Sequence, residues 1–194
     1  MLQDPVLRLC KIAQKKPNRI AVTEHARAIT YLQFYMFCYS ISQKIKQRAV
    51  DVPPQVLIYL GQSVEAYASM FGTLMSGGFY SPIHIGGSDY LKIKIIKSFK
   101  PHIIITSSAL TEEIKSIITK SDISCQLIII DQVLESLLKN PIEVNNNEVD
   151  YNINNLKKNG KHKKLAYVIY TSGTTSIPKG VMISRKALAH YTNW

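Results

Sequence analysis

Apolar residues recur along this chain in two alternating patterns. Short continuous runs, typical of buried strands, occupy residues 56–60, 79–83, 103–105, 127–130 and 165–170. Between them, apolar residues recur at helical spacing over residues 2–15, 31–48, 64–75, 90–99 and 111–119. Residues 20–22 and 28–30 flank a polar turn and predict a hairpin ahead of the second helix. Strands that alternate with helices indicate βαβ units, so we predict a layered α/β fold with a mostly parallel sheet.

Local signals predict where three of the helices begin. Asp4 is a helix-capping residue, and Pro5 after it is favoured in a first helical turn. Thr30 precedes Gln33 by three residues, which is the spacing of a capping box. Ser184 can cap a final helix that begins after the last apolar run.

Residues 66–83 carry no charge, so a membrane span has to be considered. Glycines at 72, 77 and 78 and the proline at 82 interrupt this stretch, and hydroxyl groups recur in it. A helix followed by a turn and a short strand fits the pattern better than a span, and we therefore predict no membrane partner.

Composition limits the classes of protein to which the chain can belong. At 194 residues with 46% hydrophobic residues, it can form one domain with a sizeable core. Cys10, Cys38 and Cys125 lie far apart without metal-ligand spacing and are predicted to be free thiols in a reducing compartment. The N-terminus lacks the apolar segment of a secretory signal, and a cytoplasmic protein is expected.

The formal net charge of +11 invites a nucleic-acid hypothesis. The lysines are spread along the chain, with one local cluster between residues 157 and 164, and no recognition motif accompanies them. We read them as solvated faces and expect no nucleic-acid partner. Residues 140–164, which are rich in Asn and Lys, are expected to form a long flexible loop and the first site of proteolysis.

Residues 165–184 join an apolar run to a segment that is rich in hydroxyl groups and glycine. Residues 171–180 are predicted to form a loop between two core strands, at 165–170 and 181–183. Glycines would let the backbone turn and approach a ligand, Lys179 adds positive charge, and backbone N–H groups can surround an anion. Hydroxyl groups that can donate to phosphate oxygens come from Thr171, Ser172, Thr174, Thr175 and Ser176. The segment therefore predicts a phosphate-binding loop rather than a solvated turn.

This segment resembles the phosphate-loop motif of the adenylate-forming superfamily, which includes acyl-CoA synthetases and the adenylation domains of peptide synthetases. The family pattern is Tyr-Thr-Ser-Gly-Thr-Thr-Gly-x-Pro-Lys-Gly-Val, and the chain matches it at residues 170–175 and 178–181. Ser176 stands where the family normally has glycine. It is not the usual P-loop, in which Gly-Lys-Ser/Thr is followed by a helix. Residues 30–34 and 74–83 resemble two further motifs of the superfamily, the second of which often continues with Asp where this chain has His84.

The resemblance implies a chemistry and a set of site residues. The complete enzyme would activate a carboxylate, such as that of an amino acid, with ATP and Mg²⁺ and then pass the acyl group to a thiol. The acceptor would be the phosphopantetheine of a carrier protein, because residues 191–194 resemble D-alanine–carrier-protein ligases. Lys179 would be the catalytic residue, and the nucleotide contacts would be Thr171, Ser172, Gly173, Thr174, Thr175, Lys179 and Gly180.

The resemblance covers residues 1–194 but only the N-terminal portion of the family's large domain. The parts that select the acyl group, bind adenine and hold Mg²⁺ follow this point in the family, so we expect a partial AMP-binding domain that is inactive alone. One alternative is a short nucleotide- or partner-binding module that completes an active site in trans. Another is a basic module that binds nucleic acid or anions. Apolar sheet surface is expected to remain uncovered.

Overall fold

The computed structural model describes residues 4–48, 53–139, 165–171 and 178–192. Helices and strands alternate through most of it, as the sequence predicts. The helices are α1 (Pro5–Lys15), α2 (Tyr31–Lys46), α3 (Val64–Met75), α4 (Asp89–Phe99), a 3₁₀ turn (Ser108–Leu110), α5 (Thr111–Ser121), α6 (Ile130–Lys139) and α7 (Arg185–Thr192). The strands are β1 (Ile20–Glu24), β2 (Arg27–Thr30), β3 (Gln55–Tyr59), β4 (Phe79–Pro82), β5 (Ile103–Thr106), β6 (Gln126–Ile129), β7 (Leu165–Thr171) and β8 (Lys179–Ser184).

Six of the described strands form one sheet in the order β6-β5-β3-β4-β7-β8, and β1 pairs with β2 in a separate hairpin. Strands β3 to β7 run parallel to one another, whereas β8 is antiparallel to β7. The prediction of a mostly parallel α/β sheet is confirmed. The chain passes from β3 to β4 and then crosses back over β3 to β5, so strands are added on both sides of β3, as in doubly wound α/β folds.

The core lies on both faces of this sheet, since side chains alternate along each strand. Val56 and Ile58 of β3 face one cluster, which is packed beneath α1, α2, α3 and α6. Leu57 and Tyr59 face a second cluster, which includes α4 and α5. Strands buried on both faces are continuous apolar runs rather than alternating ones, which explains why the sequence marks them so clearly.

The predicted helix starts agree with the observed caps. The Asp4 side chain accepts from the backbone N–H of Val6, and Pro5 opens α1. Thr30 and Gln33 form both hydrogen bonds of the capping box of α2. Each cap satisfies backbone donors that the first helical turn cannot pair.

The uncharged stretch over residues 66–83 forms α3, a turn and β4, as predicted. Gly77 has φ of 91° at this turn, a conformation that side chains disfavour and glycine permits. No helix in the described part of the chain is long and apolar enough to cross a membrane.

Two expectations about the C-terminal half are wrong. Ile130, assigned to a strand over 127–130, is the first residue of helix α6, which the sequence analysis missed. β8 is not a core strand: four of its six residues are exposed, and Met182 retains 72% of its accessible surface. The predicted flexible loop over 140–164 lies outside the described residues.

Candidate functional site

The β7–β8 hairpin places the predicted phosphate segment at one edge of the sheet. β7 runs parallel to β4, with Tyr167 opposite Tyr80. The carboxyl ends of β3, β4, β5, β6 and β7 therefore lie at the same edge, where ligands bind in open α/β sheets. Thr171 ends β7 at this edge, and the residues that follow it in the sequence, 172–177, including Ser172, Gly173, Thr174 and Thr175, lie outside the described part of the chain.

The two strands reach further into the motif than predicted. Thr171 is the last residue of β7, Lys179 is the first of β8, and the two are paired across the hairpin. The Thr171 hydroxyl lies 3.5 Å from the Lys179 carbonyl oxygen, to which it donates. Both side chains are exposed. Residues 171, 179 and 180, which were predicted to lie in the loop, therefore belong to the two strands.

Gly180 was expected to let the backbone turn, but it lies within a strand. It pairs with Tyr170 within β8, and its φ is not in the left-handed region. A Cβ at this position would lie 2.9 Å from Val168 Cγ1 and 3.3 Å from the Tyr170 ring. The glycine is therefore needed for close packing of the two strands rather than for a tight turn.

Aromatic side chains fix β7 to its neighbours. The rings of Tyr80 and Tyr167 stack with centroids 5.6 Å apart. Burial raises the pKa of the Tyr80 phenol well above its ordinary value, so the group stays neutral. The Tyr170 hydroxyl donates to Ser98 Oγ on α4 at 3.0 Å. These contacts hold the strand that leads into the predicted phosphate segment.

Arg185 anchors the other strand, and the sequence analysis did not identify it. It follows β8 directly, and its guanidinium donates to the Leu74 carbonyl oxygen at the C-terminal end of α3. Its Nη1 atom also lies 3.4 Å from Asp4 Oδ2 at the cap of α1. Burial lowers the pKa of Arg185, and the Asp4 carboxylate opposes that shift. A charged residue at a strand–helix junction gives no sequence signal of burial, because both of its partners are remote in the chain.

Two other polar residues lie at opposite ends of the sheet. Ser184 pairs with Leu165 at the amino end of β7, and His84 follows the carboxyl end of β4. Ser184 caps α7 by accepting from the Ala187 N–H at 3.2 Å, as predicted. His84 lies just beyond β4, is exposed, and folds over Gly86, at which a Cβ would lie 2.9 Å from His84 Nε2. Among the described residues, no group of three or more His, Cys, Asp or Glu side chains could hold a metal ion.

Solved structures of similar fold are adenylate-forming enzymes. ATP-bound MatB from Rhodopseudomonas palustris aligns over 100% of this chain and 37% of its own, with a TM-score of 0.73 and 21% identity. A nonribosomal peptide synthetase, FmoA3, bound to α-methyl-L-serine-AMP, aligns over 98% of this chain and 20% of its own, with a TM-score of 0.72 and 22% identity. The fold is that of the N-terminal part of adenylate-forming enzymes.

Sequence comparison assigns the family. The chain belongs to the AMP-binding enzyme family, whose profile matches residues 9–194. D-alanine–D-alanyl carrier protein ligase from Lactococcus lactis is 31% identical over 185 residues, which make up 95% of this chain and 34% of the relative. Bacitracin synthase 3 from Bacillus licheniformis is 29% identical over 94% of this chain and 2% of its own length. The chain thus spans 34% of the first relative and 2% of the second.

Proposed function

We propose that this chain provides the ATP phosphate-binding part of a carboxylate-activating, adenylate-forming ligase. The observation that carries the proposal is the pairing of Thr171 with Lys179 across the β7–β8 hairpin. This pairing places a residue with a hydroxyl group directly before, and a lysine shortly after, the segment that contains Ser172, Gly173, Thr174 and Thr175. These residues and Gly180 form the proposed nucleotide site.

The role of the site follows from where charge develops. In adenylation, a carboxylate oxygen attacks the α-phosphorus, and the bond between that phosphorus and the bridging oxygen to the β-phosphorus breaks. Pyrophosphate leaves with the electron pair of this bond. Lys179 and the hydroxyl donors would hold the β- and γ-phosphates and offset the growing negative charge. Lys179 is therefore the proposed catalytic residue.

The described residues do not fit a magnesium site. Mg²⁺ requires oxygen ligands in near-octahedral geometry, usually including one or two carboxylates. The hairpin ends carry hydroxyl and ammonium groups, and no cluster of metal-ligating side chains is present in the described part of the chain. We therefore assign no Mg²⁺ ligand among the residues that the structure describes.

The proposal also covers which carboxylate is activated and which thiol accepts the acyl group. We propose an amino acid as the carboxylate and a carrier-protein phosphopantetheine thiol as the acceptor, in a cytoplasmic enzyme. The D-alanyl carrier protein ligase and the bacitracin synthase among the relatives support this choice. Because the chain spans 34% of the ligase, we expect residues outside it to complete the reaction.

Isothermal titration of the purified 194-residue chain with ATP and with pyrophosphate tests the phosphate site. Lys179→Ala should weaken both ligands at least about tenfold, because it removes the fixed cation from an exposed strand end without disturbing the core. Lys46→Ala, an exposed lysine at the end of α2, is the matched control and should leave both affinities unchanged. Equal binding by wild type and Lys179→Ala would reject the site. Sustained ATP–pyrophosphate exchange by this chain would reject the need for outside residues.

A further inference from the structure

A strip of cationic side chains follows one face of α1, far along the chain from the hairpin motif. Arg8, Lys11 and Lys15 lie three and four residues apart, a spacing that brings side chains to the same side of a helix. Lys16 and Arg19 continue the strip beyond the end of the helix. These five residues and Ile12 line a groove of about 450 Å³, and its described lining contains no carboxylate.

These charges are not neutralised within the described part of the chain. Lys11, Lys15, Lys16 and Arg19 form no ion pair there, whereas six other cation–carboxylate pairs are formed. Arg8 Nη1 donates to the carbonyl oxygen of Thr192 at 2.8 Å, which leaves its charge uncompensated. Like charges at this spacing repel one another, so an anionic partner would relieve an unfavourable interaction.

An apolar groove of about 390 Å³ continues from the cationic one, and the two share Arg8 and Ile12. Leu9, Val22 and Phe71 are among the residues that line it. Tyr67, also in its lining, remains 42% exposed. The surface therefore offers a concave apolar strip beside a row of cations.

We propose that this combined groove docks an acidic amphipathic helix of a partner protein. The apolar face of such a helix would enter the groove beside Leu9 and Tyr67, and its carboxylates would pair with the cations of α1. Phosphates of a nucleic acid would use the cations but leave the apolar groove empty. α1 has 11 residues and is therefore about 16 Å long, which matches about three turns of a partner helix. The inference does not depend on the proposed phosphate site.

The probe is a fluorescein-labelled synthetic helical peptide of about 18 residues, with leucines on one face and flanking glutamates. Fluorescence anisotropy with the purified 194-residue chain should show saturable binding that weakens as salt is raised. The double variant Lys11→Glu, Lys15→Glu should weaken binding at least about tenfold, because it converts attraction into repulsion at two positions. Tyr67→Ser should weaken binding at least about threefold, because it removes apolar contact area.

The matched control is Lys46→Glu, Lys97→Glu, which makes the same charge change at two exposed helical lysines outside both grooves. Its affinity should stay within about twofold of wild type, which separates local pairing from net charge. Circular dichroism spectra of all variants should match. Equal losses in the test and control variants would overturn the proposal. So would the absence of peptide binding, or tighter binding of duplex DNA or anionic vesicles with no response to Tyr67→Ser.

Discussion

Gly180→Ala tests whether strand packing at the candidate site depends on a missing side chain. A Cβ would lie 2.9 Å from Val168 Cγ1, closer than real Cβ contacts allow, and 3.3 Å from two atoms of the Tyr170 ring. Val168 is 6% exposed and β-branched, so it has little freedom to move away. Overpacking of this kind costs about 1–3 kcal/mol, whereas alanine regains about 0.5–1 kcal/mol of backbone entropy relative to glycine. We expect a net loss of about 0.5–2 kcal/mol in the free energy of unfolding.

Urea unfolding followed by circular dichroism measures this loss. Gly87→Ala is the control, since its Cβ would meet its nearest atom, the His84 carbonyl oxygen, at an ordinary 3.5 Å. The control should be neutral or slightly stabilising, so only Gly180→Ala is expected to lower the free energy of unfolding. The double variant Gly180→Ala, Val168→Ala should lose less free energy of unfolding than the sum of the two single variants, because removing Val168 Cγ1 also removes the clash. A Gly180→Ala variant as stable as wild type would refute the packing argument.

Two further predictions concern ionised groups. Glu113 accepts hydrogen bonds from Lys92 Nζ at 2.7 Å and from the Tyr59 hydroxyl, and these donors lower its pKa. This stabilisation is present above the ordinary carboxyl pKa and is lost as pH falls through the lowered pKa of Glu113. Glu113→Gln should therefore flatten the pH dependence of the free energy of unfolding below about pH 5. An unchanged slope would contradict this prediction. Arg185→Met removes the guanidinium from Asp4 and Leu74 and should lower the free energy of unfolding by about 1–3 kcal/mol, with Arg185→Lys intermediate. Urea unfolding of both variants checks this, and a fully stable Arg185→Met would show that the anchor is dispensable.

The fold was predictable where local signals and burial agree. The caps at Asp4 and Thr30 and the run at residues 103–105 depend on residues within a few positions, so the sequence contains their whole explanation. α6 was predictable too: Ile130, Val133, Leu134 and Leu137 recur at helical spacing. It was missed because the apolar run of β6 passes directly into the helix, with no turn residue between them.

The candidate site can be proposed from the sequence, but the contacts that support its flanking strands cannot. The hydroxyl-rich motif and Lys179 are visible in the sequence because they are contiguous. The role of Gly180 depends on Val168 and Tyr170, which the hairpin register brings beneath it. The burial of Arg185 depends on Asp4 and Leu74, more than one hundred residues away, as the separations of 181 and 111 residues show. Such contacts become apparent only once the chain is folded.

The two strands that flank the proposed phosphate segment are held by different contacts, and this bears on how the segment could act. β7 is fixed by the Tyr80–Tyr167 stack and by the hydrogen bond from Tyr170 to Ser98. β8 is fixed by close packing at Gly180 and, through Arg185, to the ends of α1 and α3. Donors stabilise a developing charge best when they need not reorganise, which requires rigid supports rather than additional donors. Changes at these supports should therefore affect phosphate binding although none of the side chains needs to touch the ligand.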